Sequence, residues 1–400
     1  MPKPPNSSLT RRRVLGSAAA ALPLLLVRPA LAQEREVSIG YLGLADDPLY
    51  AERRGYAGVR LRQRVRPLDG VKLALRGARV LGRALGVGFA LDERLVADSE
   101  SAAAAGREMR DGGALAVLAD LPDEALAALA DALGGAGLVI DLRSPAMRWR
   151  AERCPQGLLH AAPSRAMRAE ALAQYLRKRS WESVLMLVGR HPDDGPDAAA
   201  ARGAIAKFGL DLADERAFEL TGDPTRREQS NVALLTGGVS YDVVWLIDND
   251  GEYGRYVPFA TYHPRPVVGS EGLRPVAWHW TFERYGAPQL NRRFERRVGR
   301  VMGEDDWVGW AGLRSLLQSV QDTGATAPET VAERLLAEEF RVDLYKGIPG
   351  SYRPWNGQLR QPILLATHDA VTAVAPLEGY EHQRNVLDTL GLDLPEVQCR

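Results

Sequence analysis

The sequence is poor in cysteine: Cys154 and Cys399 are the only two in 400 residues. With no histidine near either at a ligating spacing, they make no zinc site. In an oxidising compartment such a pair reads as one disulfide tying the C-terminal tail to the middle of the chain. The alternative is two unpaired thiols, one buried and one on a frayed tail. An excess of one charge is also missing, with 51 Lys+Arg against 51 Asp+Glu. The balance is uneven along the chain, because residues 1–32 hold Lys3, Arg11, Arg12, Arg13 and Arg28 and no acid, leaving 46 bases against 51 acids. A net negative remainder argues against nonspecific attachment to nucleic acid or to anionic lipid. Beyond residue 32 no apolar run reaches the ~20 residues that span a bilayer. Internal repeats are absent, and the sequence has no Ser-His-Asp arrangement at a supporting spacing, no phosphate-cradling glycine loop and no metalloprotease helix. An enzyme reading has little behind it.

What is present begins with a leader. Thr10-Arg11-Arg12-Arg13-Val14-Leu15 precedes an apolar run over 18–27, and Ala30-Leu31-Ala32 puts small residues where a signal peptidase reads. Residues 1–32 are therefore expected to be a twin-arginine-like signal peptide cleaved before Gln33, and the run is too short for an anchor. The hydrophobic share of 46% is enough to bury more than one core, so two lobes are expected.

Strand and helix patterns alternate along the chain. Strands are expected over 37–44, 87–92, 114–119 and 138–142, and helices over 71–85, 99–110 and 123–133. Residues 50–66 are arginine-rich and weakly periodic, and read as a solvated helix or loop. The stretch 157–189 reads as a strand, a helix capped by Ser164 and a second strand, a βαβ unit opening the second lobe. On its helix Met167, Ala171, Leu172, Tyr175 and Leu176 recur on one face, while Arg165, Arg168, Glu170, Arg177 and Lys178 are expected to stay wet. A helix over 196–207, strands over 212–218, 241–247 and 265–269, and a crossing near 275–280 follow. Helices over 287–302 and 307–323 are expected to pack on the first lobe. Asn356-Gly357 between 351–355 and 361–366 signals a hairpin on the second lobe. Alternation of this kind gives parallel sheets covered by helices on both faces, an α/β fold of two lobes. The expected division is 37–154 plus 281–345 for one lobe and 155–280 plus 346–390 for the other.

Gly40-Tyr41-Leu42, Cys154, Pro163-Ser164-Arg165-Ala166-Met167 and the 171–176 stretch resemble the type I periplasmic binding proteins of the branched-chain amino-acid class. More narrowly, residues 231–237, 254–258 and 355–367 are similar to the branch encoded with pyrroloquinoline-quinone-dependent alcohol dehydrogenase systems. The resemblance implies a two-lobed solute-binding protein in the periplasm that closes on its ligand at hinge crossings and presents it to an ABC permease in the inner membrane, without catalysis. A sensor or regulator ectodomain using the same two lobes is the rival from another class.

In parallel sheets ligands lie beyond the carboxyl ends of the strands. Those ends carry Asp46 and Asp47, Asp120, Asp141, His191 with Asp193 and Asp194, and Asp248 with Asp250 and Glu252. Amino-acid binders of this class place hydroxyls there, whereas 119–122 and 140–143 here bring Asp120 and Asp141. The expectation is a hard cation, calcium or a lanthanide, held across the cleft by Asp46, Asp47, Asp248 and Asp250. Each aspartate also has the plainer role of capping the next helix, and 248–251 only begins a calcium loop and lacks its final glutamate. Arg143, Arg165, Arg190 and Arg255 stand nearby, to pair with the acids or to hold an anionic solute such as the quinone. Trp278 and Trp280 at the crossing either sandwich a flat ligand or pack the lobes. His160 reads as a core histidine.

Overall fold

The computed structural model describes residues 35–55, 58–220 and 224–399. The leader expected over residues 1–32 lies outside them. Five parallel strands form the first sheet: β1 (Arg35–Leu44), β2 (Val87–Val96), β3 (Val117–Asp120), β4 (Val139–Asp141) and β5 (Leu158–His160), in the order β2-β1-β3-β4-β5. Side chains alternate between its faces, as strand geometry requires. Ile39, Tyr41 and Leu118 enter one core with helices α1 (Leu68–Leu85), α8 (Ala287–Val298), α9 (Glu304–Thr323) and α10 (Pro328–Leu336). Leu42, Val117 and Ala119 face the other, with α2 (Ser99–Asp111), α3 (Asp123–Leu133) and α4 (Arg148–Ala151). Glycine lets α1 and α9 approach backbone to backbone: a Cβ on Gly70 would stand 1.7 Å from the Asp306 carbonyl oxygen, and one on Gly309 2.1 Å from that of Pro67.

The second sheet is β6 (Ser183–Val188), β7 (Asp211–Ala217), β8 (Val243–Ile247) and β9 (Val267–Gly269), all parallel, in the order β7-β6-β8-β9. Val184, Met186, Val243 and Trp245 pack under α5 (Arg165–Lys178) and α6 (Asp194–Lys207). Leu185, Leu187, Val244 and Leu246 face thinner cover, the one-turn α7 (Val232–Leu235) and a 3-10 segment at Gly254–Phe259. A small antiparallel sheet, β10 (Arg274–Val276), β13 (Ile363–Ala366) and β14 (Val371–Ala375), extends this lobe, and β11 (Ser351–Tyr352) with β12 (Leu359–Arg360) forms the hairpin around Asn356-Gly357. Among the described residues no helix is long and apolar enough to cross a membrane.

Two assignments differ from the sequence reading. Leu158–His160 pairs with Val139–Asp141 and closes the first sheet, so it does not open a βαβ unit of the second. The crossing therefore comes after His160, at 161–164; a three-residue strand carries no signal of which sheet will take its hydrogen bonds. The 351–360 hairpin likewise belongs with the first sheet. His160 bridges to Gln358 in parallel, the His160 N–H donates to the Gly357 carbonyl at 2.8 Å, and Tyr352 and Leu359 enter the first-lobe core. The chain crosses again near 277–286 and 361–362, three crossings before the C-terminal segment itself returns to the first lobe.

Helix α5 is buried more evenly than its pattern suggested. Ser164 caps it, accepting from the Met167 N–H at 3.2 Å, as expected. Arg165 and Glu170, however, are buried and not wet: Arg165 pairs with Asp193 and Asp197, and Glu170 takes the Lys207 ammonium at 2.9 Å and the Gly391 N–H. The C-terminal segment explains this, since it runs over α5 before returning to the first lobe. There Gln398 N–H meets the Ala151 carbonyl at 2.8 Å, and Cys399 is disulfide-bonded to Cys154 with Cα atoms 5.7 Å apart.

Candidate ligand site between the lobes

The carboxyl ends of β1, β3 and β4 face those of β6 and β8, and the residues following each strand line the junction. After β1 the chain turns through Asp46 and Asp47 into a 3-10 turn, Pro48–Tyr50. Asp47 caps it, accepting from the Leu49 N–H at 3.0 Å, and is itself held by the Arg143 guanidinium. Tyr50 thereby points at the end of β3, where its hydroxyl donates to Asp120 at 2.5 Å. Asp120 is fully buried and also accepts from the Tyr41 hydroxyl at 2.8 Å and Arg66 at 3.1 Å. Burial raises its carboxyl above the ordinary range in spite of these donors. The Arg66 guanidinium lies 4.5 Å from the centre of the Tyr50 ring, a cation–π contact, with Arg143 at 5.8 Å from it.

Asp141, at the end of β4, is turned inward. It accepts from the Arg143 and Ser144 N–H groups at 2.9 Å each and from His160 Nδ1 at 2.8 Å. Burial pushes the His160 imidazole down to about 4, so a neutral core histidine stands where the sequence placed one. On the other lobe Asp248 builds its own loop, taking the N–H groups of Gly251 at 3.0 Å and Gly254 at 2.6 Å. Asp250 reaches outward and meets Arg53 of the first lobe at 2.5 Å. Arg190 pairs with Glu219 at 2.7 Å, and Arg255 bonds the Tyr256 hydroxyl at 2.6 Å.

The expected four-aspartate cation site is not assembled. Asp46 is exposed, Asp47 is used by Arg143 and a helix cap, Asp248 by two backbone N–H groups and Asp250 by Arg53. Among the described residues no group of three or more His, Cys, Asp or Glu is placed to hold a metal ion. Charged aspartates at strand ends find arginines and caps more readily than they leave four carboxylates facing one another. Trp278 is also corrected. It is 2% exposed, stacks on Trp307 with ring centres 5.9 Å apart and donates to Asn291 at 2.9 Å, so it packs the crossing. Trp280 remains half exposed beside it.

The residues that the sequence reading missed lie in the arginine-rich stretch. Arg53 reaches across to Asp250 of the second lobe, while Tyr50 and Arg66 turn to Asp120 and Arg64 pairs with Asp305 at the start of α9, all on the first lobe. A cavity of about 320 Å³ opens beside them on the first lobe, lined by Tyr50, Gln63, Arg64, Arg66, Asp69 and Arg300. Periodicity could not find these side chains, since the stretch has none, but its density of arginine next to a strand end was a usable signal.

Two parallel sheets with opposed carboxyl ends and three crossings define the two-lobed α/β fold of type I periplasmic binding proteins. Solved structures of ABC-transporter binding proteins share it. An ABC transporter substrate-binding protein from Sphaerobacter thermophilus superposes with a TM-score of 0.69 at 16% identity, over 90% of this chain and 100% of that one. A branched chain amino acid ABC transporter periplasmic ligand-binding protein from Burkholderia xenovorans gives 0.68 at 15%, over 91% and 99%. A solute binding protein of an ABC transporter from Rhodopseudomonas palustris, in complex with 3,4-dihydroxy benzoic acid, gives 0.60 at 11%, over 85% and 94%. No protein-family model matches the sequence, and no curated protein does.

Proposed function

We propose that the chain is the solute-binding component of an ABC importer, working in the periplasm and delivering its ligand to a permease in the inner membrane. The observation that carries this is the junction: the ends of two parallel sheets meet there, polar and half buried, and the lobes are joined by the chain crossings, the small antiparallel sheet and the tail disulfide. Such an arrangement can open and close on a solute by rotation at the crossings, with both parallel sheets kept intact. The neighbours in fold support the reading, and their names speak of transport and not of catalysis.

The solute best suited to the first-lobe side of this junction is a small organic anion. Arg64, Arg66 and Arg300 line the cavity with Tyr50 and Gln63, and a solute carboxylate would take these donors by exchange with the acids they now hold, Asp305, Asp120, Asp69 and Asp306. A bare calcium or lanthanide ion fits less well, since it needs ~6–8 oxygen ligands and, among the described residues, no three His, Cys, Asp or Glu are grouped to hold one. Pyrroloquinoline quinone is the second reading, favoured by the same arginines and by the resemblance over 231–237, 254–258 and 355–367. A thermal-shift screen tests both, because a ligand that binds only the folded state raises its melting temperature. Aromatic and aliphatic carboxylates, amino acids, the quinone, calcium and lanthanum form the panel. Stabilisation by an anion and by neither ion is expected; stabilisation by an ion alone would overturn the assignment.

A further inference from the structure

Residues 46–55 form an arm that leaves the first lobe and touches the second. Its root is fixed three ways: Asp47 caps the 3-10 turn and takes Arg143, Tyr50 bonds the buried Asp120, and Arg66 covers the Tyr50 ring. Further out the backbone is pinned by a bridge between Arg54 and Arg60 and by the Leu61 N–H donating to the Arg53 carbonyl at 3.0 Å. That pinning aims the Arg53 side chain across the junction. Its Nη2 lies 2.5 Å from Asp250 Oδ1 and its Nη1 3.4 Å from the Asn249 carbonyl, both on the loop after β8. Gly55 presses on the same loop, where a Cβ would stand 2.6 Å from Glu252 Oε1.

We propose that residues 46–55 are a latch, in which Arg53 holds the lobes together before solute arrives and lets go when the cleft opens to admit it. This rests on the reading that solute binds between the lobes, yet it is tested without any solute. Nitroxide labels at exposed Arg79 and Gly203, one on each lobe, report the interlobe distance in solute-free protein. Arg53→Ala and Asp250→Ala should each raise the ratio of open to closed molecules by about 2- to 5-fold, the effect of one exposed ion pair. High salt should move the parent protein the same way, since an exposed pair is screened. Exchanging the charges, Arg53→Asp with Asp250→Arg, should return the distribution toward the parent. Arg53→Gln, which keeps most of the side chain, guards against a folding loss, with far-UV circular dichroism as the check. A distribution in Arg53→Gln and Asp250→Ala identical to the parent's would overturn the latch and leave the solute-binding reading standing. Failure of every solute in a thermal-shift screen would do the reverse.

Discussion

Asp388 is the residue whose loss the structure penalises most clearly. It lies in the C-terminal segment, 4% exposed, and accepts from Arg353 Nε at 2.8 Å, Arg360 Nε at 2.7 Å and Arg360 Nη2 at 3.1 Å. Both arginines are themselves buried, and both sit at the hairpin leading into the third crossing. Burial alone would raise the Asp388 carboxyl; the Arg360 and Arg353 guanidiniums outweigh it, so the carboxyl sits below the usual range. Asp388→Ala leaves two buried cations without their anion, a change that costs about 3–5 kcal/mol. For a chain of this length that is roughly 4–7 °C in melting temperature. Urea denaturation and thermal melts at pH 7 measure it. The pH dependence follows from the sign: a depressed folded value contributes stability above the unfolded value near ~3.9, and that stability is lost as pH falls through the folded one. The gap between parent and variant should therefore narrow below about pH 4. A loss under ~1 kcal/mol at pH 7, or a gap that widens in acid, would refute the reasoning.

Two further outcomes are expected. Cys154→Ser opens a bridge spanning 245 residues of sequence and should destabilise by about 5 kcal/mol in the chain-entropy model; an unchanged urea midpoint, with two thiols titrating in unreduced parent protein, would count against the pairing. Glu170 is pushed up to about 7 by burial, against the pull of Lys207 and the Gly391 N–H. Its folded value is the raised one, so the parent should lose stability, on the order of 3 kcal/mol, as pH rises from about 4.5 to 7. Glu170→Gln should flatten that slope, and parallel profiles for the two proteins would exclude Glu170 as its source.

Most of the architecture was legible because its strands and helices carry strong periods. Val184 to Val188 reads as a doubly buried parallel strand and is the second strand of its sheet, and Asp123 to Leu133 reads as a helix and is one. What failed did so for local reasons. Leu158–His160 is too short to declare a sheet, and the 351–360 hairpin shows its turn but not the edge it joins. Buried ionic groups are likewise invisible to amphipathic patterning, which placed Arg165 and Glu170 in water because their partners Asp193, Asp197 and Lys207 come from α6 and the loop before it. The site was half legible. Asp47, Asp120, Asp141, Asp248 and Asp250 do stand at strand ends, but their arginine, tyrosine and backbone partners decide what those ends offer, and residues 46–67 carry no periodic signal of where their side chains go.

Transport by this protein depends, on the proposed reading, on closure of two lobes around a small solute. Small-angle X-ray scattering of the protein, solute-free and saturated with each compound that binds by calorimetry, tests it directly. At least one organic anion should bind and lower the radius of gyration, and by more in Arg53→Ala, whose solute-free molecules are more often open. Binding that leaves the radius of gyration unchanged would contradict closure, whatever the compound's identity.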